Sequence, residues 1–205
     1  MKERPVLFSA PMVRAILDGR KTMTRRVVKV YSGDGAVVLN GNMSEHTLGK
    51  LKCPYGQVGD RLWVRETWRV MRKWDDTPPR SIPDNQTVEY CADGYRGFFN
   101  GKTRVSIHMP RWACRIQLEV TGVRIERLQD ISEGDAIAEG LVTMPQFDWT
   151  TQKPTGRILA ETTQSPPYWD TPKTAFQTLW ESINGPGSWA ANPFVWVIEF
   201  KRIKP

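Results

Sequence analysis

No stretch of this chain is apolar for more than five residues in a row; the longest aliphatic and aromatic run is Phe194 to Ile198. A membrane-crossing helix needs about 20 consecutive apolar residues, so that class of structure is closed off. At the N-terminus only Val6-Leu7-Phe8 runs uninterrupted, too short for the apolar core of a signal peptide. A soluble, cytoplasmic protein with no membrane partner is expected. Apolar residues instead come in short alternating or helical patterns, broken by Gly, Pro, Asn and Asp. With 205 residues, 40% hydrophobic and 25% charged, the chain suits a single globular domain, residues 1–205, carrying insertions.

Three helices are punctuated clearly. Ser9 can cap the first, Pro11 suits its first turn, Met12, Val13, Ile16 and Leu17 recur at helical spacing, and Asp18-Gly19 stops it. A second follows Ser132, with Asp135 at the third position, and ends at Glu139-Gly140. A third has a Thr171 cap, Pro172 first, then Phe176, Leu179, Trp180 and Ile183 before Asn184-Gly185.

The remaining apolar runs read as strands. Arg20 to Val30 is rich in Thr and Val, and turn signals around Ala36-Val37-Val38-Leu39 predict a short hairpin. Arg61 to Trp68 alternates, with Leu62, Val64 and Trp68 on one side and Arg61, Trp63, Arg65 and Thr67 on the other. Ala113 to Glu126 changes parity at Gly122, which predicts a bulge. Phe194 to Ile203 is the most apolar strand and is expected to be central. Residues 69–111 and 142–170 read as long irregular insertions. Strands with a few short helices, without βαβα alternation, point to an α+β fold: a small, mostly antiparallel barrel with helices packed at its openings.

Charge narrows the partners. Of the formal net +7, residues 1–30 hold eight cations against Glu3 and Asp18, leaving +6 in that segment. Such a concentration attracts phosphates or another acidic partner, unless its bases pair with acids elsewhere in the fold. Cys53, Cys91 and Cys114 are an odd, widely spaced set, which fits a reducing compartment rather than a disulfide framework. His46 and His108 stand near two of them, but no C-x-x-C pair exists and no metal or cofactor is expected.

The usual catalytic signatures are missing. There is no G-x-S-x-G, phosphate-binding loop, dinucleotide fingerprint or H-E-x-x-H, and neither histidine sits in a nucleophile motif. The densest candidate is Gly19-Arg20-Lys21-Thr22-Met23-Thr24-Arg25-Arg26. On a strand, Thr22, Thr24 and Arg26 share one face while Lys21, Met23 and Arg25 take the other. A Lys21–Thr24 meeting stays possible at the helix junction. The segment is therefore a phosphate or base site, a Thr hydroxyl activated by a Lys amine, or an ordinary basic edge strand. Arg20, Arg25 and Arg26 are the right neighbours to lower a lysine pKa. Glu139, at a helix C-terminus, lies where the dipole disfavours its charge, useful for acid–base work.

The pattern F-S-x-P-M-x-x-A-I-L-x-G-R-K-T-x-T-x-R, Phe8 through Arg26, resembles the opening of ASCH-domain proteins, whose fold is a PUA-like β-barrel. Gly59-Asp60-Arg61-Leu62-Trp63-Val64 is similar to their G-D-x-L strand. Leu128-Gln129-Asp130-Ile131-Ser132 leading to Glu139-Gly140, and the closing Trp196 to Phe200, also match. The longer, tryptophan-rich form is most similar to proteins of phages and prophages. The resemblance implies binding of RNA or nucleotides, ribonuclease activity, or amide hydrolysis of N4-acetylcytidine. In the hydrolases the motif lysine, second motif threonine and a distal glutamate act together; the matching positions are Lys21, Thr24 and Glu139. Two departures stand out: those members are about half as long, and they carry an aliphatic residue where this chain has Arg25.

Aromatics interleave with arginine at Arg61, Trp63 and Arg65 and again at Arg111 and Trp112, which suits base stacking beside phosphate contacts. Of nine tryptophans, two or three are expected at a ligand site and the rest in the core. The expected nucleotide or RNA contacts are Arg20, Thr22, Arg25, Arg26, Arg61, Trp63, Arg65, Arg111 and Trp112. The partner is then a nucleoside, a nucleotide or single-stranded RNA. The leading function is an amidohydrolase on N4-acetylcytidine or a related nucleoside. A non-catalytic RNA-binding module or ribonuclease in the same basic cleft is the alternative, and a phage protein that mimics or blocks a host RNA-binding factor is a third.

Overall fold

A computed structural model of the chain describes residues 1–31, 37–39, 48, 50–94, 100–143, 147–148, 153–154, 158–159 and 171–203. In chain order the elements are β1 (Glu3–Leu7), α1 (Ala10–Leu17), β2 (Met23–Val27), β3 (Lys29–Tyr31), β4 (Val37–Leu39), β5 (Arg61–Arg65), β6 (Trp68–Arg69) and β7 (Glu89–Tyr90). They continue with β8 (Gln117–Arg127), α2 (Glu133–Ala138), β9 (Val142–Thr143), β10 (Phe147–Asp148), β11 (Lys153–Pro154), β12 (Ile158–Leu159), α3 (Pro172–Asn184) and β13 (Phe194–Ile203). The fold is mixed α+β, mostly sheet with few helices. Among the described residues no helix is long and apolar enough to cross a membrane. The chain divides into two compact units: Met1–Gly19, Tyr55–Thr121 and Phe200–Pro205 form one, Arg20–Pro54 and Gly122–Glu199 the other.

In the first unit β1 runs parallel to β5, Glu3 opposite Arg61 through Leu7 opposite Arg65, and β5 runs antiparallel to the start of β8. Asp60 joins these strands: its carboxylate accepts the Lys2 amide at 2.8 Å and the Gln57 amide at 3.3 Å. The approach uses Gly56 and Gly59, at φ +110° and +88°, where glycine is the residue without steric cost. Helix α1 buries Val13, Ala15 and Ile16. Ser9 makes no side-chain cap bond, because Pro11 lacks one of the amides that a cap would accept from.

The described residues of 69–94 and 100–111 hold more regular structure than an insertion of loops. β6 pairs with β7, and Trp68, Val70, Ile82, Met109 and Ala113 form a small core beneath short 3-10 turns. Arg115 holds the region with bonds to both oxygens of Glu66, each 2.9 Å, and to Asp93 at 2.7 and 2.8 Å. Its guanidinium also lies 3.9 Å from the Tyr90 ring centre.

In the second unit β13 lies between β2 and the C-terminal half of β8, the central place expected of it. Helices α2 and α3 cover a core of Met23, Leu128, Ala136, Phe176, Trp180, Trp189, Val195 and Val197. Ser132 accepts the Asp135 amide at 3.1 Å, and Thr171 with Thr174 forms a full capping box. β3 and β4 make the predicted hairpin.

Three expectations need correction. The strand predicted over 20–30 is broken: β2 covers only Met23–Val27, and the buried Val28 bonds to Phe194 before β3 begins. The strand expected from Ala113 begins only at Gln117, because Arg111–Ala113 form a 3-10 turn, and it runs through Gly122 to Arg127. Barrel closure is absent among the described residues. Closure needs two neighbours for every strand, yet β1 pairs only with β5 and β2 only with β13. Trp149, Trp169 and most of the second insertion, residues 142–170, lie outside the described residues.

Candidate functional site

After Gly19 the second unit begins with three residues that attach to the end of α2 rather than to a strand. Thr22 donates its amide to the Ala138 carbonyl at 2.9 Å, Lys21 forms an isolated antiparallel bridge with Glu139, and Arg20 Nη1 bonds to the Gly140 carbonyl at 2.9 Å. Glu139 is the C-cap of α2, and Gly140 turns the chain away at φ +95°. Backbone pairing thus brings two side chains 118 positions apart face to face.

Lys21 Nζ donates to Glu139 Oε2 at 2.7 Å and to the Glu139 carbonyl at 2.8 Å. Neither side chain meets solvent appreciably, at 0% and 4% exposure. Burial pushes the Lys21 amine below its ordinary value, while the facing Glu139 carboxylate pulls the other way and the nearby Arg26 and Arg25 charges add to the fall.

Arg25 fixes the other oxygen of Glu139. Its Nη1 reaches Glu139 Oε1 at 3.4 Å, and its Nη2 reaches Glu126 Oε1 and Asp135 Oδ2, each at 2.6 Å. Its Nε also bonds to Glu126 Oε1 at 3.0 Å. Arg124 extends the cluster, bonding to Asp135 at 2.7 Å, to Glu126 at 3.0 Å and to Glu199. The result is three cations interlaced with four carboxylates, so Lys21 and Arg25 are committed to acids of the protein itself. Arg25, expected to meet phosphate, has no exposed side-chain surface and spends its guanidinium on Glu126, Asp135 and Glu139.

The remaining expected residues fall out as follows. Thr24 is 4% exposed and opposite Ile198 on β13; among the described residues it makes no hydrogen bond with Lys21 or Glu139. Lys21, Met23 and Arg25 share one side as expected, with Arg25 Nη1 3.3 Å from Met23 Sδ and both cations on Glu139. Thr22 is exposed, whereas Thr24 on the other side is buried because β2 is covered on both faces. Arg26 is half-buried opposite Trp196.

Arg61, Trp63, Arg65, Arg111 and Trp112 belong to the first unit. The Arg65 and Arg111 guanidiniums lie 4.6 and 5.9 Å from the Trp63 ring centre, and Arg111 pairs with Glu3 at 3.0 Å. Trp63, expected on an open face, is 8% exposed under these cations. Trp112 does not join them; it stands edge-on to Trp68 at 5.9 Å beside the small core. Trp68, Trp180, Trp189 and Trp196 are core residues.

Sequence reasoning missed Arg124, Glu126 and Asp135. The available signal was two opposite charges, two apart on one face of β8, in a strand otherwise chosen for burial. All three cysteines are free thiols, and among the described residues no group of three or more His, Cys, Asp or Glu side chains could hold a metal ion. No family model, curated protein or solved structure matches the chain.

Proposed function

We propose that the chain is an ASCH-type protein that binds a modified nucleobase and hydrolyses its exocyclic amide, with N4-acetylcytidine or a related N-acylated nucleoside as substrate. One observation carries this reading: the buried 2.7 Å contact of Lys21 Nζ with Glu139 Oε2. With Thr24, these are the three positions that match the family's lysine, threonine and glutamate.

A lysine and a carboxylate withdrawn from water can exchange a proton that they would not exchange in solvent. Burial disfavours the Lys21 ammonium, so passing its proton along the 2.7 Å bond, to give amine and carboxylic acid, costs less than it would outside. In that form Thr24 Oγ1 attacks the acyl carbon and gives its proton to Lys21 Nζ. Glu139 protonates the exocyclic nitrogen as the C–N bond breaks, leaving the free base and an ester on Thr24. Water then attacks the ester, its proton passing to Glu139 while Lys21 returns one to Thr24. The balance is amide plus water to amine plus acid. The first step needs Thr24 and Lys21 to meet, which the strand entry at 21–24 has to rearrange to allow, and Arg25 holds Glu139 Oε1 while Oε2 faces the lysine.

The polymer-binding alternative draws on the same basic segment, but two of its cations are spent on internal carboxylates. The test is release of cytidine from N4-acetylcytidine, followed by chromatography. Thr24→Ala and Lys21→Ala are each expected to abolish it, and the double variant to be little worse than either. No cytidine from acylated nucleosides, nucleotides or RNA would remove the hydrolase reading.

A further inference from the structure

The first unit holds a cleft of about 350 Å³ that has no part in the chemistry above, bounded by Arg65, Arg80, His108, Met109, Pro79 and Pro110 among others. That volume lies at the small end of ligand-binding pockets. Its polar side chains are two arginines and a histidine, and no carboxylate lines it among the described residues. The acids and bases of the Lys21 cluster cancel one another; here the positive charge is not cancelled.

Arg65 is held in place before any ligand arrives. Its Nη1 bonds to the Ile107 carbonyl at 3.1 Å and its guanidinium lies over Trp63, while its Nε is buried without an acceptor. Arg80 sits exposed on the 3-10 turn Pro79–Ser81 and has no acidic partner among the described residues. His108 ends a second such turn, Ser106–His108, closed by its amide bond to Val105 at 3.1 Å. Guanidinium forks match phosphate oxygens in pairs, and proline rings with a methionine offer flat apolar surface to an aromatic ring.

We propose that this cleft binds a small aromatic phosphate, its phosphate held by Arg65 and Arg80 with help from His108 and its ring laid against Pro79 and Pro110. The site is separate from the Lys21–Glu139 pair and does not depend on the hydrolase reading.

Titration calorimetry with phenyl phosphate, adenosine 5′-monophosphate, adenosine and inorganic phosphate tests it on the full chain. Both phosphate esters are expected to bind saturably at one site, with adenosine and inorganic phosphate each at least about tenfold weaker. Arg80→Ala, a change at an exposed turn, is expected to weaken the esters about tenfold, the loss of one charge-assisted contact. Arg65→Lys, which keeps the charge but loses the fork, is expected to weaken them as well. Thr24→Ala is expected to leave binding unchanged, which separates this site from the failure of the hydrolase. Absence of saturable ester binding, wild-type affinity in Arg80→Ala, or loss of binding in Thr24→Ala would overturn the assignment. Binding confined to an oligoribonucleotide, with steep salt dependence, would overturn it in favour of a polymer surface.

Discussion

Arg25 shows how a residue's neighbours along the chain can mislead. In sequence it stands among Arg20, Lys21 and Arg26 and reads as part of a phosphate-attracting run; in the fold its partners are 101, 110 and 114 positions away. Removing it strands Glu126, Asp135 and Glu139 without their shared cation. Arg25→Met is expected to destabilise the protein by about 3–5 kcal/mol in urea unfolding, the cost of breaking a buried ion cluster from one side. A loss under about 1 kcal/mol would mean that the cluster relaxes into water. Asp60 is the opposite case, since its Gly-Asp motif already marked it. Its two backbone amide donors, the Lys2 amide first, hold its carboxyl below the ordinary 3.8. A carboxylate with a lowered folded value stabilises fully above its unfolded value, and that contribution is lost as pH falls through the folded one. Asp60→Asn is therefore expected to be less stable than wild type at neutral pH, with the gap in urea midpoint narrowing below about pH 4. A gap that stays constant into acid would place the effect of Asp60 in shape rather than in charge. Lys21 and Glu139 each stood out as candidates from the residues, but their pairing was legible only through the family resemblance, because no periodicity connects a strand entry with a distant helix end.

At the scale of elements, punctuation was the reliable signal and strand faces were not. Thr171-Pro172 and Asn184-Gly185 bracket α3, and Ser132 starts α2, because caps and glycines act within four residues of themselves. Ser9 is the instructive exception. It has the right side chain and position, but makes no cap bond. Ser132→Ala is accordingly expected to cost about 1 kcal/mol by thermal or urea unfolding, and Ser9→Ala less than about 0.5 kcal/mol. Equal losses at both positions would contradict the observed bonding. Because α2 is only six residues long and Glu139 is its cap, Ser132→Ala also loosens the element that aims Glu139 at Lys21. The exposure of strand faces was misread where a second layer covers them. Trp63 does lie with arginines, but Arg65 and Arg111 close over its ring, and Thr24 on β2 is buried although Thr22 is exposed. Alternation reports burial only when one face is left to water.

For the molecule as a whole, the short apolar runs correctly implied an α+β chain of strands and brief helices. They carried no information about how the chain is divided. Neither compact unit is a continuous stretch: the first takes Phe200–Pro205 from the far end of the chain, and the second interrupts it after Gly19. Two strands, β8 and β13, change unit partway along, at Thr121–Gly122 and Glu199–Phe200. No local pattern marks such a change, since the backbone remains a strand on both sides. The six returning residues matter to the first unit. Phe200 is 3% exposed with its ring 6.2 Å from Phe8, Lys201 pairs with Glu119 at 3.1 Å, and Arg202 bonds to the Leu17 carbonyl at 3.4 Å. A fragment of residues 1–121 therefore lacks the side chain that closes over Phe8 and retains residues 20–54 without their partners on α2, β13 and the later part of β8. It is expected to show no cooperative thermal transition by circular dichroism. Phe200→Ala in the full chain isolates the same contact without cutting the chain. Truncating a buried phenylalanine removes its transfer energy and leaves a cavity, so the expected loss is about 3–5 kcal/mol. Should the fragment melt cooperatively and Phe200→Ala cost under about 1 kcal/mol, the first unit would be an autonomous domain and the returning segment an accessory to it.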